Sequence, residues 1–104
     1  MTEFIRLNSS TLSVALDTRV GHLRDYEARY GGDVFRPLYT APWVDNDTIN
    51  KPDDDPPVEK YLSGDFLCAP FAYSDVEPSP QHGWSANSMW DLKEQKSANE
   101  ATFE

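Results

Sequence analysis

The chain has 104 residues, with 18 acidic against 9 basic side chains and a formal net charge of −9. That length allows one small domain, or a piece of a larger one. The charge argues against a nucleic-acid groove and against an anionic membrane surface, since both would repel it. No apolar run approaches the roughly 20 residues of a membrane span.

The N-terminus, Met1-Thr2-Glu3-Phe4-Ile5-Arg6, has neither a basic start nor an apolar stretch, so no secretory signal is read there and a cytoplasmic location is expected. Cys68 is the single cysteine. It cannot form an internal disulfide, and a metal site built on several thiolates is excluded. Neither a metal nor a cofactor is expected.

Phe4-Ile5-Arg6-Leu7 reads as a short strand, and Asn8-Ser9-Ser10 as the turn after it. In the next segment Leu12, Val14 and Leu16 alternate with Ser13 and Ala15, the period of a half-buried strand. Leu23, Tyr26 and Tyr30 would fit a short helix, but Gly31-Gly32-Asp33 between aromatic-rich arms favours a hairpin of strands 22–30 and 34–39. Pro37 would then mark an edge or a strand end.

Residues 45–60 are acidic, rich in proline and nearly free of apolar groups, which predicts a long loop. The loop fails as a calcium-binding helix-loop-helix: counted from Asp45 the sixth position is Asn50 rather than glycine, and counted from Asp53 the pattern meets Pro57. Asn8-Ser9-Ser10 and Asn46-Asp47-Thr48 match the glycosylation acceptor pattern but lack the secretory route it needs.

Further strands are predicted in the apolar run 65–72, over Trp84 to Leu92, and over 100–103, where the chain stops just as alternation resumes. An unpaired final strand suggests a clipped chain or one completed by a partner, and its open edge invites self-association. The fold class expected is all-β, antiparallel.

Cys68, flanked by apolar residues, reads as a buried structural cysteine, since a nucleophile would need one of the two histidines beside it. His22 reads as structural or as surface. His82 lies in Gln81-His82-Gly83-Trp84-Ser85-Ala86-Asn87, where an imidazole, two amides and an indole could line a carbohydrate pocket. The competing reading makes Trp84 and Trp90 core residues and His82 a loop cap.

The run Gly64 to Ala72, followed by Gln81 to Asn87 and Trp90-Asp91-Leu92, resembles the galactose mutarotase-like superfamily, in the branch of aldose 1-epimerases and hexose-6-phosphate epimerases. The strand Leu12–Leu16, Gly21 and the run Pro37 to Trp43 resemble that family's opening hairpins, so the resemblance spans residues 4 to about 103. It implies that residues 1–104 are the N-terminal part of an antiparallel β-supersandwich. It also implies an isomerase that interconverts sugar anomers: a carboxylate takes the anomeric proton while a histidine protonates the ring oxygen. His82 matches the family's first histidine and is the catalytic candidate, with Gln81, Trp84 and Asn87 as substrate-binding candidates. The second histidine and both acids would lie beyond residue 104, so the chain alone is expected to be inactive. Ala86, and the acidic Ser63-Gly64-Asp65, stand where the phosphate-handling branch carries arginine, which implies a neutral hexose. The alternative from a different class is a non-catalytic carbohydrate-binding or interaction module.

Overall fold

A computed structural model describes residues 3–46, 55–74, 76 and 78–104. It is all-β and antiparallel. Strands β1 (Phe4–Asn8), β2 (Leu12–Asp17), β3 (His22–Tyr30) and β4 (Asp33–Phe35) form a meander in that order, and β5 (Leu92–Ser97) and β6 (Glu100–Phe103) form a separate hairpin. A single turn of helix, α1 (Pro57–Lys60), interrupts the predicted 45–60 loop; Pro57 suits its first turn, where the missing N–H costs nothing. The calcium registers and the second glycosylation pattern fall largely outside the described residues.

The ambiguity over 22–39 resolves as the hairpin. Gly31 and Gly32 take φ +58° and +83°, the left-handed values that close a two-residue turn between β3 and β4. β4 ends at Phe35, two residues before Pro37, and does not reach residue 39. Two other expected strands do not form. Residues 66–72 run without a ladder, joined to the sheet by one bridge between Asp65 and Leu23, and residues 84–88 fold into turns and bends. The final segment does form, and it is not left unpaired: β6 closes on β5, with Leu92 opposite Phe103.

Register assigns the two faces of the meander. Ile5, Leu16 and Leu23 stand opposite one another, as do Leu7 and Val14. The other face carries Arg6 opposite Ala15 opposite Arg24, and Phe4 opposite Asp17 opposite His22. This second, polar face is the more deeply buried, with Ala15, Asp17 and His22 fully covered, while Leu12 and Leu23 on the apolar face remain 42% and 39% exposed. The alternation in β2 was therefore legible, but its best-covered side is the one with the smaller and more polar residues.

The reason lies in the cover. Residues 40–46 and 55–62 lie over the polar face: Ala41 N–H donates to the Leu62 carbonyl, and Arg24 bonds Asp45 at 2.5 Å. Arg19 lies 4.0 Å from the Tyr61 ring centre and 5.2 Å from that of Phe4. Cation–π and charge-assisted contacts thus do what alkyl packing does elsewhere. A β-bulge between Ser13 and Ala15 places Asp25 at φ +54° and turns its carboxylate toward Arg24, 3.0 Å away.

Candidate functional site

The segment 81–90 is anchored to the meander by Trp90. Its backbone N–H donates to the Thr18 carbonyl at 2.7 Å and its indole N–H to the Ser85 carbonyl at 2.9 Å. The ring lies across Gly21, at φ +71°, where an added Cβ would come within 2.1 Å of the indole nitrogen. Only glycine allows this approach.

Asn87, 8% exposed, sets the shape of the turn. Its carbonyl oxygen accepts the buried Val58 N–H at 2.8 Å, and its amide nitrogen donates to the carbonyls of Gln81 and Gly83 at 2.8 and 2.7 Å. These bonds tie α1 to both ends of the Gln81–Gly83 turn and occupy both of the amide's donors. Asn87, expected as a substrate contact, thus holds the turn through bonds within the chain.

His82 adopts φ +67°, uncommon for a residue with a side chain, and Gly83 follows at +86°. The strain is held by bonds on both sides of the residue. His82 N–H donates to the Ala72 carbonyl at 2.8 Å, and the His82 carbonyl accepts from Ala69 N–H at 3.1 Å. The ring Nδ1 meets the Phe71 carbonyl in a short hydrogen bond. A carbonyl only accepts, so Nδ1 carries the proton, and in the neutral ring Nε2 is the acceptor. The Cys68 sulfur lies 3.7 Å from the same Nδ1. Cys68 is thus half-buried in an irregular segment beside a histidine, rather than sealed in a strand as expected.

Gln81 and Trp84 lie on the outer side of the same turn. The Gln81 carbonyl oxygen is 3.5 Å from the Tyr73 hydroxyl, and Trp84 is 66% exposed. The other two indoles both donate to backbone carbonyls, Trp43 to Glu59 and Trp90 to Ser85. The competing reading, in which Trp84 and Trp90 are both core residues, does not hold for Trp84, which is a surface ring. Two aromatics it did not single out, Phe71 and Tyr73, are 87% and 72% exposed. Both belong to the segment that His82 holds, and nothing in the apolar run 65–72 distinguished an outward ring from an inward one.

His22 is fully buried, its Nδ1 3.2 Å from the Tyr61 carbonyl and its Nε2 3.1 Å from that of Ala86. Phe66 stacks on it at 4.5 Å between centroids and meets His82 edge-on at 5.4 Å. One phenyl ring therefore separates the two imidazoles. Burial pushes His22 below its ordinary value, against the opposing pull of the two carbonyls and of Asp17.

Trp84 carries an exposed indole, and Gln81 and His82 are half-buried in the same turn. Among the described residues no cluster of three or more His, Cys, Asp or Glu could hold a metal ion, and no helix is long and apolar enough to cross a membrane. No protein-family model matches the chain, and no curated protein or solved structure shows significant similarity to it.

Proposed function

We propose that this chain is a hexose-binding portion of an aldose 1-epimerase-like protein, acting in the cytoplasm, and that these 104 residues bind sugar without interconverting its anomers. The observation that carries this reading is the Gln81–Trp84 turn. Asn87 braces it from within, and the turn carries the exposed indole of Trp84 together with the half-buried Gln81 and His82. An indole face packs on the C–H side of a pyranose ring, while the amide and imidazole exchange hydrogen bonds with its hydroxyls. Anomer interconversion needs a carboxylate as well as a histidine. The polar contacts of the His82 ring are a carbonyl and a thiol, and neither does that work. The supersandwich implied by the resemblance belongs to this proposal too, and the half-covered apolar face of the meander supports it.

Titration with D-glucose, D-galactose and D-mannose, followed by tryptophan fluorescence, tests the reading. A saturable change is expected from Trp84, the exposed indole. Trp84→Ala is expected to raise Kd at least about tenfold, equivalent to about 1.4 kcal/mol, with the thermal midpoint unchanged. No saturable response to any of the three sugars, or unaltered binding in Trp84→Ala, would overturn it.

A further inference from the structure

The polar face of the meander is not covered along its whole length. Burial falls from Asp17 and His22, through Ala15 and Arg24, to Ser13 and Glu27, which are half-buried. At this end lies a hollow of about 350 Å³, whose polar lining is Arg6, Ser13, Asp25, Glu27 and Arg36. That volume suits a small molecule. Sheet order places Arg6 of β1 on one side and Arg36, just after β4, on the other, with both acids on β3 between them. The acids already have partners outside this lining: Arg24 donates to Asp25 at 3.0 Å, and Arg29 to Glu27 at 3.0 Å. Arg29 also bonds the Ser13 hydroxyl oxygen at 3.1 Å and the Ser9 carbonyl at 2.8 Å. Its bond is the main reason that Glu27 titrates below the ordinary carboxylate value.

Arg6 and Arg36 are less engaged. Arg6 comes no closer to Asp25 than 3.9 Å, and Arg36 gives one nitrogen to Glu27 at 2.9 Å. Their side chains are 60% and 69% exposed. The connected group holds Arg6, Arg24, Arg29 and Arg36 against Asp25, Glu27 and Asp45, one cation in excess within a chain of net charge −9. We propose that this hollow binds a small dicarboxylate, with one carboxylate at each of Arg6 and Arg36. A guanidinium fork matches a carboxylate in its plane. A compact dianion would meet one fork alone or sit over the acids of β3, whereas an elongated one keeps its charges at the two sides. Its uncharged middle passes Tyr26 and Leu38, which complete the lining. The Ser13 oxygen already accepts from Arg29, so its O–H is left to donate. The site does not depend on the sugar reading, since Gln81, His82 and Trp84 take no part in the hollow.

Titration of the intact chain with sodium succinate, at fixed ionic strength and followed by amide and arginine side-chain NMR shifts, tests the proposal. Saturable shifts are expected at Arg6, Ser13, Glu27 and Arg36, with a Kd below about 10 mM. Acetate and inorganic phosphate, at the same ionic strength, are expected to bind at least about tenfold more weakly. Arg6→Gln/Arg36→Gln should weaken succinate binding at least about tenfold. Lys93→Gln/Lys96→Gln removes the same charge from exposed positions of β5 and should leave succinate binding unaltered. Equal losses in the two double variants would reduce the effect to overall charge and overturn the proposal. So would the absence of saturable shifts with succinate, shifts centred outside the hollow, native affinity in the arginine variant, or acetate or phosphate binding as tightly as succinate.

Discussion

Asp17 and His22 stand opposite one another in the β2–β3 register, and both are fully buried. Each is tolerated for a different reason. The Asp17 carboxylate is met by Arg19 through two guanidinium bonds, at 2.9 and 2.8 Å, and through its backbone N–H at 3.0 Å. That is a nearly complete shell for a buried charge. His22 has only carbonyl oxygens at its nitrogens, so the neutral ring can donate to one of them and not to both. Burial nevertheless favours the neutral ring. A histidine whose folded value is lowered binds its proton more readily when unfolded. Its contribution is thus complete above the ordinary value of about 6.5 and is lost as pH falls below it. The urea midpoint is expected to drop between about pH 7.5 and about pH 5.5, and His22→Gln should flatten that drop. An equally steep fall in the variant would assign the acid sensitivity to other groups.

At the scale of elements, one amide joins α1 to the Gln81–Gly83 turn. Asn87→Ala would leave the buried Val58 N–H without an acceptor and remove the donors to two carbonyls, a loss of about 2–4 kcal/mol. Asn87→Asp keeps the acceptor but sets a buried carboxylate oxygen against two carbonyl oxygens, so its thermal midpoint should fall at least as far as that of the alanine variant. A midpoint near the native value in Asn87→Asp would show that the bonds to the turn carry little of the weight. This residue also shows how far the sequence could be read. The strands 4–8, 12–17 and 22–30, and the glycine turn after them, are written in local alternation and in the φ demands of Gly31 and Gly32. Asn87 is not, because its partners at Val58 and Gln81 are fixed by how two irregular segments meet. The strands expected over 65–72 and 84–92 failed for the same reason. Apolar content signals burial or contact, but without a neighbouring strand to pair with it does not make a ladder. At the candidate site, sequence drew attention to the segment around His82, while which of its side chains face outward depended on contacts from distant segments.

On the scale of the whole molecule, the fully buried apolar residues among those described are small: Ala15, Val20, Ala41, Val58 and Ala86. The alkyl area removed from water is correspondingly modest, and much of the cohesion comes from the bonds of Arg19 and Arg24 to Asp17, Asp25 and Asp45 and from the backbone carbonyls that His22 engages. Against this stands a net charge of −9, whose self-repulsion opposes compaction. The thermal midpoint is therefore expected to rise with ionic strength, and by the same amount in sodium as in potassium chloride. A midpoint that falls with salt would mean that the buried ion pairs outweigh the repulsion.

The contact between the His22 ring and the Ala86 carbonyl joins positions 64 residues apart. The Trp90 ring over Gly21 spans a similar stretch of chain. Neither can form until a long intervening loop has closed, so the search for them sets a slow step of the kind that topologies rich in distant pairings impose. The meander, made of neighbours in sequence, can zip up first. The imidazole then acts as a latch that engages late, and weakening it should quicken unfolding while leaving the refolding rate almost unchanged.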